Sequence, residues 1–324
     1  MMAESPKTTQ SPKNVVIVGG VAGGMSTATR LRRLDAGVNI IVLERSGHVS
    51  FANCGLPYFV GGIIEDEEDL TLQTPKQLFD RFWLDVRVHD EAVAIDRAGH
   101  CVKTRSTVTG EESTVSYDKL VLSMGAAPLR PPIPGYERVR TLRTVEDAAR
   151  LACDVGVAPP TAVVIGAGFI GLEVAENLVL QGIDVTIVEA TPQVLPLLDP
   201  ELATLVRDEL VAHGVHVETG AMVSSIEERT VTLADGRVLA ADLVVGAIGV
   251  RPDIRLAELA GLELGPSGGI AVNEANQTSD PDVYAVGDAV EKPDAISHAT
   301  SLIALANVAN RQGRRVADHI AGRP

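Results

Sequence analysis

The sequence predicts an α/β chain of two strand–helix units, the second inserted into the first. Three observations carry that reading. The β-branched run Val15-Val16-Ile17-Val18 is continuous, as in a strand buried on both faces, and a glycine-rich turn at residues 19–24 follows it. The same order recurs with a strand at residues 162–165 and a turn at 166–171, and each turn leads into a helical stretch. Later the chain returns to one more short apolar strand, Tyr284-Ala285-Val286, which closes on Gly287-Asp288. The division that follows is a disordered tail over 1–13, a discontinuous first domain over 14–150 plus 268–324, and an inserted domain over 151–267.

Composition narrows the class. With 45% hydrophobic residues the chain is globular, and with 3% aromatics its cores must be built mainly from Val, Leu, Ile and Ala. A net charge of −15 argues against nucleic acid as a partner, which needs a basic face. Three cysteines form no closed set of pairs. The polar start shows no secretory signal, and no run of 18 apolar residues offers a membrane span, so a reducing cytoplasm is the expected compartment. No metal site is expected.

The elements follow in order. A helix is expected over 26–34 and a strand over 38–44. Thr74 at N-cap and Pro75 at N1 start a short helix that ends near Phe82. Between 85 and 123 the pattern is β, at Val86/Val88, 92–96, 101–104, 113–117 and 120–123, with turns at Gly99 and Thr109-Gly110. Pro128, Pro131, Pro132 and Pro134 stiffen the exit. Helices are expected over 144–151, 172–181 and 201–213. Strands are expected over 185–189, 215–217, 223–227, 231–233 and 243–247, with a hairpin turn at Asp235-Gly236. A last helix covers about 301–320.

The second turn matches the dinucleotide fingerprint G-x-G-x-x-G and the first matches it at all but one glycine, so each unit reads as a Rossmann-like domain of the three-layer ββα type. The first turn, Gly19-Gly20-Val21-Ala22-Gly23-Gly24, has Val21 at the middle glycine; the second, with Gly166, Gly168 and Gly171, is complete. Such turns present backbone N–H groups at a helix N-terminus, where a pyrophosphate is held. An acid follows each at the end of the next strand, Glu44 25 residues after Gly19 and Glu189 23 residues after Gly166, as expected for a ribose ligand. Glu189 should accept from a free 2′-hydroxyl and repel a 2′-phosphate, so NADH is expected over NADPH.

Between the turns lies Ser50-Phe51-Ala52-Asn53-Cys54-Gly55-Leu56-Pro57-Tyr58. Together with residues 166–171, Glu173, Gly287-Asp288 and residues 310–314, this stretch makes the chain resemble the FAD-dependent pyridine nucleotide-disulfide oxidoreductases. Within them it is similar to the single-cysteine branch of coenzyme A-disulfide reductases and NADH-dependent persulfide reductases. The resemblance implies FAD on the first turn, with Gly19, Gly20 and Gly24 at its pyrophosphate, Glu44 at its ribose and Asp288 at its ribityl chain. It implies NAD(P)H on Gly166, Gly168 and Gly171 with Glu189, Cys54 beside the flavin, and Ser50, Asn53 and Arg33 around a small thiol or disulfide substrate. Three departures stand out. Met124-Gly125 replaces the family's Thr-Gly pair, Ala304 and Val308 replace its prolines, and the family's C-terminal interface domain does not follow. A monomer or weak dimer is therefore expected.

A thiol near a helix N-terminus gains thiolate character. Val49 stands five residues before Cys54, where two-cysteine reductases carry a partner, so Cys54 must work through a mixed disulfide, a persulfide or a sulfenic acid. Cys101 and Cys153 read as structural. Arg30, Arg32 and Arg33 on the first helix would steer phosphates, or, for Arg30 and Arg32, form a solvated face. Two alternatives remain: an NADH oxidase or peroxidase working through Cys54 sulfenic acid, and a non-catalytic two-cofactor module for redox sensing or partner binding.

Overall fold

A computed structural model describes residues 12–294, 296 and 299–323. Most of the expected tail, residues 1–11, lies outside the described residues; the backbone N–H groups of Lys13 and Asn14 are both bonded to Asp118. The principal elements are β1 (Asn14–Val18), α1 (Ala22–Leu34), β2 (Asn39–Leu43), α2 (Leu56–Val60), α3 (Pro75–Phe82), β3 (Asp85–Arg87), β4 (Lys119–Leu122), α4 (Val145–Gly156) and β5 (Thr161–Ile165). They continue as α5 (Phe169–Leu180), β6 (Asp184–Glu189), α6 (Pro200–Ala212), β7 (His216–Thr219), β8 (Leu243–Gly246), β9 (Val283–Ala285) and α7 (Ala306–Ile320). They fall into two compact units. The first comprises Met1–Ser50, Gln73–Ala126 and Pro252–Pro324, and the second Phe51–Leu72 and Ala127–Arg251.

In the first unit a parallel sheet runs in the order β9-β4-β1-β2-β3. The alternation of β1 shows why it needs two covers. Val15 and Ile17 pack with Met25, Ala28 and Leu31 of α1, Leu78 of α3, and Val316 and Ala317 of α7. Val16 and Val18 face the other way, into a cluster with Val102 and Val115 from an antiparallel sheet of Asp90–Asp96, Cys101–Ser106 and Glu112–Ser116, and with Tyr117 just after it. Successive strand residues point to opposite faces, so a strand apolar at every position produces helix, parallel sheet and antiparallel sheet in three layers. Small residues let α1 and α7 cross closely: a Cβ on Gly313 would overlap the Gly23 carbonyl and the Thr27 side chain. Ser26 Oγ donates to Asn310 Oδ1 at 2.8 Å across the same contact.

The second unit repeats the plan. Its parallel sheet runs β7-β6-β5-β8. Val163, Ile165, Val188 and Val244 pack with Ile226, Val231 and Leu233 from the antiparallel strands Val223–Ile226, Thr230–Leu233 and Val238–Ala240. The buried face of α5 consists of Gly171, Val174, Ala175, Asn177 and Leu178.

Some expected boundaries move. Residues 300–302, of which 301 and 302 are expected in the last helix, form a strand antiparallel to Val290–Pro293, and α7 begins at Ala306. The ladder takes up the backbone groups that a longer helix would have paired. Helix α4 runs to Gly156 instead of 151, because Leu151 and Val155 continue its buried stripe at four-residue spacing. The compact units are also cut differently from the expected domains. Residues 51–72 group with the second unit, since α2 packs against α4 and α5, and the other cuts fall at 126/127 and 251/252.

Candidate functional site

Each unit carries one glycine turn at the C-terminal end of its first parallel strand. Gly19 and Gly166 have φ of +100° and +104°, the left-handed region that favours glycine. A Cβ on either would also overlap a carbonyl of the neighbouring segment, Ser123 O for Gly19 and Ala247 O for Gly166. The last glycines serve helix packing: a Cβ on Gly24 or Gly171 would overlap the carbonyl of Gly19 or Gly166. Gly23 is hemmed in by Ser123 Oγ and Val286 Cγ2, each 2.8 Å from an added Cβ. Ala22 opens α1, with Val21 at its N-cap, and Gly168 caps α5; neither cap supplies a side-chain hydrogen bond. By contrast α3 and α4 each begin with a complete capping box, from Thr74 with Gln77 and from Thr144 with Asp147. The two helices behind the glycine turns thus begin without a side-chain acceptor for their first N–H groups, and with the helix dipole such an end can take an anion.

The acids at the strand ends brace these turns. Gly20 N–H donates to Glu44 Oε2 at 2.8 Å, and the N–H and Oγ of Ser46 both donate to Oε1 at 2.9 Å. Ala167 N–H donates to Glu189 Oε2 at 2.7 Å, and Thr191 N–H to Oε1 at 2.8 Å. Both residues are 8% exposed. A carboxylate has about four acceptor positions, so each keeps capacity for ribose hydroxyls. The residues present fit a dinucleotide at each turn, through an uncapped helix and a fixed acceptor, and at the second turn through open space beside Gly168 as well.

Cys54 is exposed, while Gly55, Leu56 and Pro57 after it are buried. It lies in a 3₁₀ turn, Asn53–Gly55, that runs directly into α2. Turned to satisfy both its bonds, the Asn53 amide accepts from Arg143 Nη1 at 2.8 Å and donates to Phe51 O at 3.3 Å. Arg143 was not singled out from sequence. It sits just before the Thr144 capping box, and its only signal is adjacency to that cap. At the other end of α2, Gln181 Nε2 donates to Gly61 O at 2.5 Å. On the same face of α5, burial and then Glu176 push the Glu173 carboxyl upward from its ordinary range.

The remaining expected site residues divide. Ser50 holds a left-handed φ of +49°, and its N–H donates to Gly20 O at 2.9 Å, which fastens the start of the cysteine stretch to the first turn. Asp288 lies half-buried in a 3₁₀ turn, Gly287–Ala289, that Gln312 Oε1 anchors by accepting from Gly287 N–H at 2.7 Å. Arg33 is exposed, its guanidinium 5.5 Å from the Phe82 ring centre. Arg30 pairs with Asp318 at 2.7 Å, and Arg32 donates to the carbonyls of Phe82, Trp83, Ala36 and Val38, so these two are occupied by the fold. Cys153 is exposed on α4, which corrects its reading as a structural cysteine: the four-residue stripe of Leu151 and Val155 turns it to solvent. Among the described residues no group of three or more His, Cys, Asp or Glu is placed to hold a metal ion, and no helix is long and apolar enough to cross a membrane.

Comparisons with known proteins agree on one family. The profile described as pyridine nucleotide-disulphide oxidoreductase matches residues 13–313. An NADH oxidase of Methanocaldococcus jannaschii is 35% identical over 95% of this chain and 70% of its own. A coenzyme A disulfide reductase of Staphylococcus aureus is 32% identical over 95% and 70%. Among solved structures, reduced CoADR-RHD of Bacillus anthracis superposes with a TM-score of 0.94 at 45% identity, covering 97% of this chain and 57% of that one. A NAD-dependent persulfide reductase from A. fulgidus gives 0.92 at 38%, covering 96% and 60%. The chain therefore spans less than two thirds of those two solved relatives.

Proposed function

The chain belongs to the pyridine nucleotide-disulphide oxidoreductase family, and from that premise we propose that it passes electrons from NADH through FAD to a disulfide or persulfide at Cys54. The observation that carries the reading is an exposed cysteine in the 3₁₀ turn leading into α2, followed by the buried Gly55, Leu56 and Pro57. Bound flavin supplies a two-electron relay between nicotinamide and sulfur. The chain supplies binding and position. The uncapped N-termini of α1 and α5 hold the pyrophosphates, and Glu44 and Glu189 fix the ribose ends. Asp288 receives the ribityl hydroxyls.

At sulfur the atoms balance in two stages. The Cys54 thiolate attacks one sulfur of the substrate; its S–S bond breaks, a thiolate leaves, and a mixed disulfide or persulfide remains on Cys54. Two electrons and a proton then release the second thiol, or hydrogen sulfide, and regenerate the Cys54 thiolate. Arg143 holds Asn53 beside the cysteine. Ser50, Asn53 and Arg33 are the proposed contacts for the substrate. Coenzyme A disulfide and a low-molecular-weight persulfide are the two substrates to offer first.

Cys54→Ser tests the reading. It should retain flavin and its reduction by NADH, yet lose disulfide and persulfide turnover by about 100-fold or more. Near wild-type turnover in that variant would remove Cys54 from the role. A second reading is favoured by the similarity to the M. jannaschii NADH oxidase. There Cys54 would cycle through sulfenic acid, and NADH consumption would follow oxygen or peroxide instead of disulfide.

A further inference from the structure

Asn177 lies in α5 and is wholly buried, and its Oδ1 has no hydrogen-bond partner. Its Nδ2 donates to Glu173 O at 2.8 Å, which fixes the amide's orientation and turns the oxygen away from the helix. That oxygen faces the backbone of Gly61: a Cβ on Gly61 would overlap Asn177 Oδ1 and stand 2.7 and 2.8 Å from Asn177 Cγ and Cβ. Gln181, four residues on at the C-cap of α5, donates from Nε2 to Gly61 O. Gly61 is buried and is the C-cap of α2, its N–H bonded to Pro57 O. Two side chains one turn apart on α5 therefore grip a single glycine, one by contact and one by a hydrogen bond.

The grip lies at the far end of the cysteine's own helix. Leu56 N–H donates to Asn53 O, so the 3₁₀ turn bearing Cys54 and α2 form one continuous hydrogen-bonded rod. Gly61 lies seven positions after Cys54, about two helical turns. Moving one end of so short a rod moves the other. The Arg143–Asn53 bond holds the near end. The far end is held from α5, whose N-terminal turn is the second glycine turn.

We propose that Asn177 and Gln181 are positioning residues for Cys54, clasping Gly61 to set where the thiol is presented. A buried amide oxygen without a donor is unusual in folded proteins. A position held for close approach explains it, because an aliphatic residue at 177 would satisfy packing alone. Gly61 is the complement, since any side chain there would be driven into Asn177. The proposal rests on Cys54 being the redox thiol, as above.

The test uses the flavin-loaded full chain and three measurements: NADH reduction of the flavin, turnover with coenzyme A disulfide, and the pH profile of Cys54 alkylation by iodoacetamide, resolved by peptide mass from Cys101 and Cys153. Gly61→Ala should displace the rod. Turnover should fall about tenfold, and the alkylation midpoint should move by about half a pH unit or more, while flavin reduction stays within about twofold of wild type. Gln181→Ala, which removes the bond to Gly61 O, should shift the same midpoint in the same direction by less. It decides the matter alone should Gly61→Ala fail to fold. Asn177→Ala in the Gly61→Ala background should restore part of the lost turnover, because it removes the overlaps with Oδ1 and Cγ and leaves only that with Cβ at 2.8 Å. An unshifted alkylation profile in both single variants overturns the clasp. So does a parallel loss of flavin reduction and turnover, which would mark a general structural role. If Cys54→Ser itself retains turnover, the underlying reading fails first, and that outcome is separately visible.

Discussion

The two glycine turns are built alike and then differ at one place. Each starts with a left-handed glycine against a carbonyl, ends with a glycine under the helix, and is braced by a carboxylate two residues before a donating N–H. Six residues after each acid comes a non-glycine residue at positive φ, Ser50 at 49° and Leu195 at 44°, whose N–H donates to Gly20 O or Ala167 O at 2.9 Å. Fully buried valines, Val49 and Val194, precede them. Ten residues after the acid the copies part: one has Cys54 in the turn before α2, the other Asp199 at the N-cap of α6. The middle of the turn also differs, Val21 against Gly168. A Cβ on Gly168 would meet nothing within 4 Å, so that glycine is not required by the fold. The repeated scaffold fixes what both copies need, and the divergent positions carry what is specific to each.

Substitutions at matched positions can break that comparison. The largest effect is expected from Gly171→Ala and Gly24→Ala. Each drives a methyl into a backbone carbonyl that cannot rotate away, and each should destabilise by about 3 kcal/mol or more, read as a lower urea midpoint. Tolerance in one copy alone would show that the turns are not equivalent. Next come the braces. Glu189→Ala leaves the Ala167 and Thr191 N–H groups without their acceptor and should cost about 1–3 kcal/mol. It should also reduce a preference for NADH over NADPH expected to be about tenfold or more, since like charge at the 2′-phosphate disfavours NADPH. Anaerobic flavin-reduction rates with each coenzyme measure this, and equal rates in the wild type would refute the role of Glu189. The smallest change in stability is expected at Gly168, whose φ of −80° suits any residue. Gly168→Ala should shift stability by no more than about 0.5 kcal/mol yet raise the KM for NADH, because the open space is where a pyrophosphate approaches. A large loss of stability there would mean that the middle glycine serves the fold after all.

Much of this was legible locally. A strand apolar at every position implies cover on both faces, and Val15–Val18 has it, so the three layers followed from the pattern. Thr74 reads as an N-cap and is one, in a capping box; Thr144, placed inside its helix, proves to be the N-cap of another. The acids were found by their distance from the turns. Their bracing role was not, because a hydrogen bond to a backbone N–H some 22 to 24 residues back leaves no mark on residue type. The last helix was read five residues too early because the stretch at 300–302 is as compatible with a strand as with a helix, and only its pairing with Val290–Pro293 decides.

By itself the sequence determined the two strand–turn–helix units, the acids after them and a cysteine without a local partner, since each depends on neighbours a few residues apart or on a repeated spacing. Tertiary structure alone decided that residues 51–72 group with the second unit, that Arg30 and Arg32 are taken up by Asp318 and backbone carbonyls, that Arg143 holds Asn53, and that Asn177 meets Gly61. These contacts join segments distant along the chain. They depend on how packed elements place side chains within a few tenths of an ångström, and residue identity at either end does not specify that distance.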